Sequence, residues 1–149
     1  MFIEADIETI LGKLSKLEDT HKPVWGTMSA QRMVEHLTDL VKISNGKSVL
    51  EIITPADKIE RAQLFLESDT PMAKNVNVEF VAKEVALRHA EIELAIDELT
   101  EEWCDFEEFY ENDESKTANH PYYGTLNFDQ WKKLHAKHFT HHFEQFNIA

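Results

Sequence analysis

The sequence predicts an all-α protein, a bundle of four main helices with one short extra helix in the connection between the second and the third. Three observations carry that reading. The chain has 149 residues, 42% of them apolar, which suits one domain around one core, and no repeat, low-complexity tract or Gly/Ser linker divides it. It holds only 4 Gly and 4 Pro, too little turn punctuation for an all-β chain of this length. Over four stretches its apolar residues recur at steps of three and four, the helical period.

Residues 3–17 form the first stretch, where Ile3, Ile7, Ile10, Leu14 and Leu17 make one apolar stripe; Pro23 and Gly26 then mark a loop. Ser29 is a good cap for a second helix, with Met28 placed to staple onto Met33. Met33, Leu37, Leu40 and Val41 supply its buried side, and Asn45-Gly46 stops it. Thr54-Pro55 followed by Asp57 starts the short extra helix over about 55–67. The KSVLEII run before it fits a strand or a helix equally, and residues 68–79 read as a loop around Pro71. In the third helix, Val85, Ile92, Leu99 and Phe106 are seven apart, as are His89, Ile96, Trp103 and Tyr110 on the next track, which together make a bundle seam. The other faces of residues 91–114 are acidic without one Lys or Arg and read as a solvated surface. Asn127 opens the fourth helix as a cap, with Gln130 at the capping-box position and Leu126 placed to staple to Trp131.

Charge narrows the function. The net charge of −13 leaves no basic face to displace counterions from phosphates, so neither nucleic acid nor an anionic membrane is an expected partner. The single cysteine, Cys104, excludes an intramolecular disulfide and reads as buried or inert rather than as a nucleophile. The N-terminal MFIEADIETI is acidic, unlike a signal peptide, and no apolar run spans a bilayer, so the cytoplasm is the expected location.

Eight histidines occur, four of them within LHAKHFTHHF. At roughly 100° per residue, Phe128, Trp131, His135, Phe139, His142 and Phe146 share one face of the last helix, with His138 at its edge beside Gln145 and His141 further round. His138 and His142 are four apart, a spacing that stacks two imidazoles close enough to share one metal ion. A third ligand must come from another helix, and His36 shares the inner side of the second helix with Met33, Leu40 and Ile43. Against this, HxxxH pairs are common on exposed helix faces, and an inward histidine is usually a hydrogen-bonded core residue. His135 reads as a residue behind the ligands, a general base or plain packing; His141 as an edge residue or a hydrogen-bond donor to a ligand. His89 reads as a core histidine of the third helix, His21 as a loop residue, and His120, before Pro121, as part of an extended or turn segment.

Three strings resemble one family. HFTHHFEQF (His138 to Phe146) resembles the HxxHHxxQ signature of the DinB/YfiT-like superfamily of metalloenzymes. WGTMSAQRMVEHLTDL resembles that superfamily's second helix with its single histidine, and HPYYGTLNFDQWKKLHAKH is similar to the HPxxG loop and helix entry of an uncharacterised branch. The resemblance implies an antiparallel four-helix bundle with a three-histidine metal site on His36, His138 and His142, all intact here. Characterised members of the superfamily include metal-dependent transferases that use low-molecular-weight thiols.

The expected cofactor is one divalent ion, zinc or nickel first, with manganese or iron as alternatives, because imidazole suits them all. Three neutral histidines leave a tetrahedral ion one open position, where water would have its pKa lowered towards ~7 or a substrate thiol would ionise. The expected function is thus metal-dependent hydrolysis or thiol-linked group transfer on a small molecule, with His135, His141, Asp39 and Gln145 as candidates for orienting ligands or moving protons. The alternative is a non-enzymatic structural or interaction bundle, with a structural metal or none. A homodimer is compatible with the sequence, using a face other than the self-repelling acidic side of the third helix.

Overall fold

The first helix is shorter at both ends than its apolar stripe: α1 spans Ile7–Leu14 in the computed structural model, which describes residues 1–76 and 85–149. Asp6 opens α1, its carboxylate accepting the Thr9 N–H at 2.8 Å. Ile3 lies outside the helix because its N–H donates to Thr140 Oγ1 instead, at 2.9 Å.

Helix α2 (Ala30–Ser44) has the predicted ends. Ser29 accepts the Arg32 N–H, and Asn45 closes the last turn. Gly46 follows with φ +82°, and a Cβ there would sit 3.1 Å from the Phe109 ring, so the stop requires glycine. Every residue of α2 is buried except Arg32, His36, Asp39 and Lys42, which are half-buried and fall on one stripe at steps of four, three and three.

The KSVLEII run is neither strand nor helix; at its end the N–H groups of Ile53 and Thr54 both donate to the Pro121 carbonyl. The expected short helix is present as a 3₁₀ turn, Ala56–Lys58, running into α3 (Ile59–Glu67). The predicted loop after it is non-helical as far as residue 76; residues 77–79 of that reading lie outside the described residues.

Helix α4 spans Ile92–Glu111, so the third helix starts a full turn or more later than its seam implied. Val85 is 39% exposed and not part of a core seam. The reason is Glu35, fully buried on α2, whose carboxylate accepts the N–H groups of Arg88 at 2.8 Å and His89 at 3.3 Å. Those donors are committed to α2 rather than to helix. From Ile92 on, the seam holds: Ile92, Leu99, Trp103, Phe106 and Tyr110 are buried. One acidic residue of this helix is not solvated, since Glu102 is buried and paired with Lys47.

A second correction concerns fold class. The protein is mostly helical but carries a small antiparallel sheet, β1 (Ala118–His120) with β2 (Gly124–Leu126), paired Ala118 to Leu126 and His120 to Gly124. His120 organises the turn, its Nδ1 accepting the N–H groups of Tyr122 at 3.0 Å and Tyr123 at 3.3 Å. Helix α5 (Phe128–Gln145) then begins with the expected capping box of Asn127 and Gln130. It packs against α2 and α3, while α2 and α1 pack against α4. The core between them is aromatic, with Trp103, Phe106, Trp131, Phe139 and Phe143 fully buried. No described helix is long and apolar enough to cross a membrane.

Candidate metal centre

Helices α2 and α5 bring three histidines together. The rings of His36, His138 and His142 pack as a triangle with centroids 4.7–4.9 Å apart, each pair edge to face. One nitrogen from each lies within 4.8 Å of the others, and His36 Nε2 is 3.1 Å from His138 Nε2. On a tetrahedral ion with metal–nitrogen bonds of about 2.0–2.1 Å, two ligand nitrogens sit about 3.3 Å apart. His36 and His138 stand close to that separation and the His142 nitrogen lies within 4.8 Å of both, so the donor set matches a divalent ion in type and approaches it in spacing.

The tautomer of one ring is fixed. Gln145 Nε2 donates to the Trp25 carbonyl at 3.0 Å, which turns its Oε1 towards His142 Nδ1, 2.7 Å away. Nδ1 must carry the proton to make that bond, so the lone pair of His142 is on Nε2. An amide oxygen holding the far nitrogen of a ligand histidine is the usual means of aiming the near one. His138 has no such support: its buried Nδ1 has no hydrogen-bond partner among the described residues.

All three rings are neutral at neutral pH. Burial pushes His142 down to about 3, helped by its neighbour His36. Burial and then the Arg32 charge push His36 down to about 4, and burial among the other histidines holds His138 well below its ordinary value. Neutral imidazole is the form that can bind a metal ion, so burial leaves all three rings in that form. His138 and His142 are buried, whereas His36 is half-buried on the open stripe of α2. The cluster thus faces outward along that stripe.

The other candidates separate. Gln145 touches His142 directly. His141 stands edge-on to His142 at 4.9 Å and to Trp25 at 5.5 Å, with its ring bonded to the Met72 backbone. Asp39 lies on the stripe one turn beyond His36, where it accepts from Arg88 at 2.8 Å and Arg32 at 3.4 Å rather than from a ligand. His135 is fully buried between Trp103, Phe106, Trp131 and Phe139 and bonds Ser44 Oγ at 2.9 Å, so of its three readings the packing one describes its surroundings. His89 is not on a helix; it precedes α4 and its ring meets Glu98 at 3.1 Å. Cys104 is exposed on α4, so of the two readings for it, buried or inert, burial does not hold. His21 is a loop residue whose Nδ1 accepts the Glu18 N–H.

Sequence reasoning missed two residues here. Arg32 is one turn before His36 on the same stripe, and the i, i+4 spacing was visible. Glu35 gave no signal, because a glutamate inside an apolar stretch of helix looks like a surface residue until its partners, 53 and 54 positions away, are known.

A model of one protein family, described as "Protein of unknown function (DUF1569)", matches residues 5–148. No curated protein and no solved structure matches the chain.

Proposed function

The chain belongs to this DUF1569 family, and from that premise we propose that it is a divalent-metal protein of the DinB/YfiT-like kind, an antiparallel four-helix bundle acting on a small molecule by metal-dependent hydrolysis or thiol-linked transfer. The observation that carries the reading is the His142–Gln145 bond: it spends a buried amide on aiming one imidazole lone pair at two other neutral imidazoles. Packing of α2 against both α4 and α5 and of α1 against α4 supports the bundle.

His36, His138 and His142 would hold the ion, zinc or nickel first. When bound, it would supply Lewis acidity and an ionised water or thiol at its open position. The protein's own contribution is orientation and access. Gln145 aims His142, the aromatic core behind α5 shuts water out on one side, and the half-buried position of His36 leaves the α2 side for a substrate. The test is elemental analysis of protein purified without a histidine tag or added metal, followed by titration of the chelated protein with Zn²⁺, Ni²⁺ and Mn²⁺. One equivalent of ion is expected in the wild type and none in His138→Ala; absence of stoichiometric binding of any ion would end the proposal.

A further inference from the structure

Helix α2 opens to its surroundings only along Arg32, His36, Asp39 and Lys42, so anything approaching the three histidines from the α2 side passes these side chains. Their charges are not evenly engaged. Lys42 is paired with Glu98 at 2.9 Å, and Asp39 is held by Arg88 at 2.8 Å. Arg32 is different. Its side chain is only 13% exposed, its Nη2 reaches Asp39 at a long 3.4 Å, and its Nη1 is buried with no hydrogen-bond partner among the described residues. A guanidinium presents five N–H donors in a planar fork, and a buried one with an idle arm is costly unless an acceptor meets it. The position of the idle arm matters as much as its existence. Arg32 is one turn before His36 on the same stripe, and its charge is felt by the His36 ring. A second cation is near: Lys74 Nζ lies 4.3 Å over the ring of Trp25, whose carbonyl accepts from Gln145 and whose ring stands edge-on to His141. In a chain of net charge −13, two cations near one small cluster favour negative charge there, with the Asp39 carboxylate on the same stripe opposing them.

We propose that Arg32 recognises an oxyanion, a carboxylate, sulfonate or phosphate group, on the small molecule that binds at the three-histidine centre. The inference rests on the metal reading above and adds the charge of the substrate to it. The ion takes one end of the molecule while the Arg32 fork takes the other, which fixes orientation as well as affinity. Asp39 competes weakly for the same guanidinium and keeps it in place when no ligand is bound.

The test uses the nickel-loaded full chain and two thiols that differ in charge, 2-mercaptoethanesulfonate and 2-mercaptoethanol, titrated against the thiolate–nickel absorption. The wild type should bind the sulfonate about tenfold more tightly than the neutral thiol, the effect of one charge-assisted hydrogen bond. Arg32→Gln should erase the tenfold preference while leaving nickel stoichiometry and mercaptoethanol affinity unchanged. Arg32→Lys should keep part of it, and Asp39→Asn, which removes the competing carboxylate, should widen it. An unchanged preference in Arg32→Gln protein that still binds one nickel overturns the role of Arg32 alone and leaves the metal reading standing. Failure of the wild type to bind nickel or any other ion overturns both.

Discussion

Replacing His135 with phenylalanine should flatten the acid sensitivity of the fold. The ring is fully buried, with aromatic centroids 5.0–6.1 Å away on four sides. Ser44 Oγ donates to the Val41 carbonyl at 2.7 Å, so it accepts from His135 Nε2, and Nδ1 has no hydrogen-bond partner among the described residues. Such a site cannot take a second proton cheaply: burial, and next the nearness of His120, lower the pKa to about 3. The unfolded chain titrates this histidine near its ordinary value of about 6.5. Below that pH the unfolded state binds a proton that the folded state refuses, so stability is whole above about pH 6.5 and is lost progressively as pH falls towards the folded pKa. At pH 5 the loss from this one residue is about 2 kcal/mol, set by the roughly 1.5 units between pH 5 and the unfolded value. Phenylalanine fits the aromatic cage and forfeits one hydrogen bond, a cost of about 1 kcal/mol at pH 7. Urea unfolding at pH 7, 6 and 5 with a chelator present, followed by the fluorescence of Trp103 and Trp131, measures the difference. The fall in stability from pH 7 to pH 5 should be about 2 kcal/mol smaller in His135→Phe than in wild type; the other buried histidines contribute to both and cancel. Equal falls in the two proteins would refute the reasoning.

Three further outcomes follow from single contacts. Gln145→Leu frees the His142 tautomer and should weaken metal binding about 10–100-fold by competition titration, with ligand number unchanged. Glu35→Gln turns an amide N–H₂ towards the donors of Arg88, His89 and Gln31 and should cost about 3 kcal/mol in urea unfolding, with faster proteolytic cleavage before α4. Lys137 is buried, donates to the carbonyls of Ser68 and Thr70 at 2.7 and 2.6 Å and lies 4.3 Å from the rings of Phe2 and Phe65. Lys137→Met keeps the stem but orphans both carbonyls, so it should lose about 2 kcal/mol and raise hydrogen exchange at 68–70.

Local chemistry made some of the fold legible and left the rest silent. The ends of α2 and the start of α5 could be read because a cap is a short-range event: Ser29 to Arg32, Asn127 to Gln130. The start of α4 could not, because the competing acceptor, Glu35, is brought there by tertiary packing. The hairpin escaped for another reason. Strands of three residues carry no measurable period, and the His120 to Gly124 turn signals a reversal without saying what pairs on either side of it. At the site, the four-residue step of His138 and His142 put those two rings together, but His36 meets them from the half-buried stripe of α2 with Arg32, Asp39 and Lys42, not from the inner side with Met33, Leu40 and Ile43 where the sequence placed it. His135 has the same periodicity as His142 and a different environment, a distinction that spacing alone does not hold. Lys137 gave no signal, because the Phe2 and Phe65 rings that cover it come from distant parts of the chain.

Helix α5 also sets a timetable. It carries His138, 102 positions after its neighbour His36, and it fastens residue 3 across 137 positions through Thr140. Translation at about 5–20 residues per second brings His36 out of the ribosome several seconds before either partner ring exists. During that interval the N-terminal segment has nothing to tie to and α2 presents an unfinished seam. The long loops that must close before these contacts form mark folding as a late, concerted event rather than a gradual one. Any ion held by the three histidines would therefore be acquired only once α5 is complete, and a product that stops short of α5 has neither a fastened start nor the three-histidine cluster.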